Sequence, residues 1–257
     1  KTQMNFDQIL KHHLMDQTLF PMFMAGGVAF DMSRHLLVMW IVSAFMILAL
    51  AMAARARSGA GLVLRGGLES VVLYIRDEML HPIFHEATDT YLPYFLTLFF
   101  FIWTCNMAGL IPQSSAVTGN ISVTAALALC TFGLIQFAGM KEQGPIEYLK
   151  HICPGGLPFW LVPLIFAIEI MGMFAKCIAL CIRLFANIIA GHVVSLAFLS
   201  LIFIFAQMNW MVGLGSSVPA VGLALFVYCL DVLVSLLQAY IFTFLTALFV
   251  GGAVHPH

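Results

Sequence analysis

The chain has 257 residues, 62% of them hydrophobic and only 9% charged, with a formal net charge of −1. A soluble domain of this length needs a charged surface to stay dissolved, so the composition excludes one and implies an integral membrane protein. The small net charge argues against nucleic acid as a partner, and six cysteines without a CxxC pair imply neither a disulfide framework nor a metal site.

The chain begins at Lys1 rather than Met, and removal of a segment ahead of it is expected. Residues 1–33 mix charged and apolar positions and read as a peripheral N-terminal segment. The uncharged run 36–54 (LLVMWIVSAFMILALAMAA) has close to the ~20 residues needed to cross a hydrocarbon core. Arg55, Arg57 and Arg65 follow in a Gly-rich loop, which the positive-inside rule places on the cytoplasmic or matrix side, with the N-terminus opposite. In residues 66–86, Val71, Leu73, Ile75 and Leu80 alternate with Glu69, Arg76, Asp77 and Glu78, the pattern of an interfacial helix rather than a span. His81, His85 and Glu86, at an end interrupted by Pro82, read as solvated side chains rather than metal ligands.

Residues 91–112 and 121–140 are two further spans, and the second leads to Lys141, Glu142, Glu147 and Lys150 on the same side as Arg55. From Pro163 to Ala206 there is no further proline. At ~1.5 Å per residue this run reaches ~66 Å, about twice the ~30 Å hydrocarbon thickness. The apolar run 220–250 is also too long to stand upright, so tilting or kinking must absorb the excess. Residues 207–219, rich in Gly and Ser, read as the turn between the two. No repeat or low-complexity tract interrupts the chain. The expected fold is an all-α integral membrane protein with about five to six membrane-associated helices. It forms a single membrane domain over residues 34–257, in which the last two helices make a long, strongly tilted antiparallel hairpin over residues 158–250.

Beyond Lys150 only four charged side chains remain: Glu169, Lys176, Arg183 and Asp231. The first three recur every seven residues, nearly two helical turns, and so share one stripe. An arginine at the centre of a membrane helix costs at least ~2.5 kcal/mol, so Arg183 is expected to face a cavity or a partner. Folding the hairpin about Asn209–Trp210 sets Gln238 opposite Arg183 and Asp231 opposite His192, in two tiers. His192 lies nine residues beyond Arg183, about half a turn round the helix and ~13 Å along it. A buried Asp–His pair suits a proton relay, because imidazole titrates near neutrality. Asn187, one turn after Arg183, can hydrogen-bond on the arginine's face without adding charge. On the residues alone two other readings stay open: a membrane redox subunit binding haem or quinone, and an anion transporter using Arg183 as ligand. Haem wants axial histidines inside spans, where only His192 clearly lies, and the absence of repeats weighs against a transporter.

The motifs RLFANIIAGH (183–192) and LQAYIFTFLT (237–246), with NMAGLIP (106–112) and NISVT (120–124), resemble subunit a of the rotary ATP synthases over about residues 35–250. The resemblance implies a stator that carries protons through two offset half-channels to and from a rotating ring of c subunits. Other partners would be the peripheral stalk, further membrane-sector subunits and lipid. No cofactor is implied; the transported ion is the proton. Arg183 matches the family's essential arginine, Gln238 the glutamine beside it, and Asn187 the asparagine one turn on. His192 and Asp231 match the inlet relay pair, and Glu169 the outlet carboxylate. The order Gly191-His192 with an acid at 231 follows mitochondrial and related bacterial members. The mitochondrial inner membrane is therefore the expected location, with the inner membrane of a related bacterium as the alternative. Those members commonly carry Glu where Asp231 stands, so the carboxylate here is one methylene shorter. The family often has proline after the residue matching Lys176, where this chain has Cys177. Lys176 has no assigned role; lining the outlet and contacting lipid phosphate both suit it.

Overall fold

A segment in hydrocarbon can satisfy its backbone N–H and C=O groups only within itself, so uncharged apolar runs fold as helices. The computed structural model describes residues 18–25, 28–56, 60–111, 116–144, 148, 161–208 and 210–254. An antiparallel pair of strands, β1 (Thr18–Ala25) and β2 (Val28–Ser33), comes first. The peripheral segment thus contains an antiparallel strand pair, and the described residues from Arg34 onward are helical apart from short connections. Five helical stretches among the described residues are long and apolar enough to cross a membrane.

Helix α1 (Arg34–Arg55) follows the apolar run closely. Ser33 caps it by accepting the Leu36 N–H (3.3 Å), and Arg55 in its last turn complements the helix dipole. Trp40, Phe45 and Met52 are all exposed along it, as a lipid-facing surface requires.

Helix α2 (Ala60–Tyr74) runs into a π-helical turn (Ile75–Leu80), a short helix (His81–Phe84) and a 3-10 turn (His85–Ala87) before α3 (Thr88–Gly109). The expected break at Pro82 is absent, because Pro82 sits in the first turn of the short helix, where its missing N–H costs nothing. The reversal comes at His85, whose φ of 48° is a left-handed conformation rare outside glycine. Thr88 Oγ1 donates to the His85 carbonyl (2.6 Å), and an Arg76–Asp89 fork (3.0 and 3.3 Å) spans the corner. Beneath it the Phe84 ring stacks on Tyr91 at 4.8 Å between centroids.

Helix α4 (Ile121–Gln143) ends at Gly144, whose φ of 84° only glycine adopts freely, and whose N–H returns to the Met140 carbonyl. The chain turns back so that the Tyr148 ring covers Gly139, with its hydroxyl donating to Gln136 Oε1 (3.0 Å). Burial pushes the Tyr148 phenol above its usual range, so it stays a neutral donor.

Helix α5 (Val162–Met208) and helix α6 (Trp210–Val254) are the two long elements, 47 and 45 residues. The expected turn over 207–219 is corrected here: α6 resumes at Trp210 and takes Gly213, Gly215 and Pro219 into its first turns. Ser216 and Ser217 help by donating to the Gly213 and Leu214 carbonyls inside the helix.

Contacts gather the chain into two compact units. One comprises Lys1–Leu48, Phe101–Asn120 and Leu184–Ala239, the other Ala49–Phe100, Ile121–Arg183 and Tyr240–His257. Within the second, α4 packs antiparallel on the first half of α5, with Thr124 at Cys181, Phe132 stacked on Phe174, and Gln136 donating to Met173 Sδ.

Candidate functional site

In the first unit, α5 presents Asn187, Ile188, Gly191 and His192, at the i, i+1, i+4, i+5 spacing that keeps them on neighbouring turns of one face. Opposite stand Asp231 and Ser235 of α6, one turn apart, and Leu110 just beyond α3 closes the pocket. The cavity is about 10 Å³, room for roughly one water.

Its floor is Gly191. A Cβ built there would lie 2.6 Å from Asp231 Oδ2 and 2.7 Å from Cγ and Oδ1. The carboxylate therefore occupies the space that any larger residue would fill. His192 is near enough for its charge to act on Asp231. The expected tier of His192 and Asp231 is thus one site in the structure. Asn187, expected on the face of Arg183, lines this same pocket.

A second polar set holds α6 in place. Asn106, fully buried, accepts from Thr118 Oγ1 (2.8 Å) through Oδ1, and its Nδ2 donates to the Ser235 carbonyl (3.4 Å). The end of α3, the turn Val117–Gly119 and the pocket's α6 wall are thereby joined by buried, mutually satisfied groups. Sequence reasoning did not find this link, since Asn106 and Ser235 are 129 residues apart. Asn106 is read there only as the start of the motif NMAGLIP, while Ser235 sits four residues after Asp231 on the same face.

Gln238 also belongs to the first unit. It is 5% exposed, and its amide Nε2 meets no hydrogen-bonding group among the described residues. Arg183 belongs to the second unit, so the expected tier of Arg183 with Gln238 divides between the two.

The second unit carries the charged stripe. Glu169, Lys176 and Arg183 are all exposed, among exposed apolar side chains such as Ile178 (55%) and Ile182 (52%). Among the described residues no carboxylate lies within ion-pair distance of Arg183. A guanidinium on an apolar, membrane-length surface is stable only if an anion or polar group comes to it. Lys176 stands apart from its neighbours, with Nζ 5.3 Å from the Phe249 ring centroid, a cation–π contact.

Comparison with known proteins bears on this arrangement. A family model described as ATP synthase A chain matches residues 36–251. The chain is 37% identical to ATP synthase subunit a of Chlorobium phaeobacteroides, over 95% of this chain and 74% of that protein. It is 39% identical to ATP synthase subunit a of Myxococcus xanthus, over 92% of this chain and 78% of that protein. ATP synthase subunit a 2 of Chlorobaculum tepidum is 37% identical, over 95% of this chain and 72% of that protein.

Proposed function

Because the chain belongs to the ATP synthase subunit a family, we propose that Arg183 divides two proton half-channels, one ending at the Asp231–His192 pocket and the other at Glu169. The protein is a multi-pass membrane protein and the proton-translocating stator subunit of an ATP synthase. Its partner is a rotating ring of proteolipid c subunits, each with one carboxyl group at mid-membrane depth, alongside peripheral-stalk and other membrane-sector subunits. No cofactor takes part.

Protons enter at the pocket, where Asp231 takes one up and the His192 imidazole steadies the charge on either side of the transfer. The proton passes to a ring carboxylate, which becomes neutral and turns away through lipid. After nearly a full turn it meets Arg183 from the other side. The guanidinium favours the ionised carboxylate by several kcal/mol in a low-dielectric setting, so the proton leaves towards Glu169. The same fixed charge repels a proton that would pass from inlet to outlet without the ring. Asn187 and Gln238 are neutral polar groups carried by the same two helices.

The observation that carries this reading is the carboxylate of Asp231 seated over Gly191, in a one-water pocket with His192, on the two helices that also bear Arg183 and Gln238. The inner membrane of a bacterium is the location we favour, since the relatives are bacterial; the mitochondrial alternative rests on the order Gly191-His192 with an acid at 231. The test is an Arg183→Ala enzyme reconstituted in liposomes. Proton-driven ATP synthesis is expected to vanish, and synthesis at the parent rate would overturn the assignment.

A further inference from the structure

The pocket holds a proton, but a route must bring it there. Serine hydroxyls on the long helices mostly bond their own backbone: Ser200, Ser216 and Ser217 each donate to the carbonyl three residues earlier. Ser195 does not. Its Oγ is buried and meets no hydrogen-bonding group among the described residues. A buried hydroxyl left in that state is costly, and water is the one solvent species small enough to satisfy it.

Its position says where that water belongs. Ser195 lies one turn beyond Gly191 on the same face of α5, towards the α5–α6 connection. The helices run antiparallel, so the next turn of α5 meets the preceding turn of α6. One turn before Asp231 stands Tyr228, half-buried and within electrostatic range of the carboxylate. By helical register, Ser195 and Tyr228 are the hydroxyl-bearing residues one turn on from the Asp231–His192 tier.

We propose that the inlet follows the α5–α6 seam past Ser195 and Tyr228, whose hydroxyls hold the water that delivers the proton to Asp231. This rests on the assignment of Asp231 and His192 to the inlet. A hydronium entering the seam gives its proton to the carboxylate. One O–H bond forms on Asp231 as one breaks on the hydronium, leaving a neutral water between two hydroxyls that can each donate and accept. Neither Ser195 nor Tyr228 changes charge, so both are positioning residues.

The experiment uses the intact ATP synthase in liposomes, with Ser195→Ala, Ser195→Thr, Tyr228→Phe and Arg183→Ala compared at equal levels of assembled complex. Ser195→Ala is expected to slow proton-driven ATP synthesis about two- to tenfold, the net worth of one hydrogen bond. Ser195→Thr keeps the hydroxyl and most of the rate, whereas a packing role would penalise the added methyl. The double variant Ser195→Ala with Tyr228→Phe should be no slower than the slower single, because both remove the same water. A parent rate in Ser195→Ala, or a fall in Ser195→Thr as deep as in Ser195→Ala, overturns the route. If Arg183→Ala abolishes synthesis while Ser195→Ala does not, only the route fails. If Arg183→Ala retains synthesis, the stator mechanism beneath it fails as well.

Discussion

Replacing Gly191 with alanine adds one methyl where α5 and the Asp231 side chain of α6 are in close contact. That methyl would lie 2.6–2.7 Å from three atoms of the Asp231 carboxyl group. Well-packed carbon pairs sit at ~3.5–4.0 Å, so about 1 Å of movement is required. Either the carboxylate leaves its rotamer well, at ~0.5–1.5 kcal/mol, or the helices part, at the ~1–3 kcal/mol usual for overpacking. At 1.4 kcal/mol per decade, the competent position of Asp231 is depopulated about 2- to 150-fold. The assay is passive proton flux through the membrane sector in liposomes after a pH step, with the catalytic head removed. Flux in Gly191→Ala should fall by at least the lower bound, with normal assembly. Thermal unfolding supplies the control: once Asp231 is shortened to alanine, the added methyl meets open space and should cost no stability. Parent flux in Gly191→Ala, or an equal stability loss with and without Asp231, would refute the argument.

Two further outcomes follow from the same pocket. Asp231→Asn keeps the shape but cannot take up a proton, so passive flux should fall further than in Asp231→Glu, whose longer carboxylate still titrates; equal fluxes would contradict the relay. Asn106→Leu removes both hydrogen bonds and strands the buried Thr118 hydroxyl, which predicts a loss of about 1–3 kcal/mol in denaturant unfolding. An unchanged midpoint would mean that the Asn106 link does not hold α6.

The spans were legible because hydropathy and chain length act residue by residue. Helices α1 and α4 lie within a few residues of the apolar runs at 36–54 and 121–140. The register of the hairpin could also be read, since counting back from Asn209 already set Asp231 against the turn of α5 that bears Gly191 and His192. Illegible were features decided by partners far away or by competition within one segment. Residues 213–219 have turn composition, yet they continue as helix, with the Ser216 and Ser217 hydroxyls turned back onto its own carbonyls. The reversal at His85 carries no glycine to announce it; Pro82, the obvious breaker, lies in the helix ahead of it. The crowding at Gly191 is a property of two helices together, and glycine alone read only as a weak breaker. The β1–β2 pairing was not anticipated either, in a stretch whose mixed composition gave neither period.

The length of α5 has a geometric consequence. A 47-residue helix is ~70 Å along its path, more than twice a ~30 Å slab, so tilt or kinking has to absorb the difference. Where the half of α5 that lies in the second unit leans by about 65°, the ~10 Å between successive members of the Glu169, Lys176 and Arg183 series becomes ~4 Å of depth and ~9 Å of sideways travel. Stations that look stacked along the helix are then strung out like mileposts beside a curved track. A carrier moving in the plane of the membrane can pass from one to the next while scarcely changing its depth.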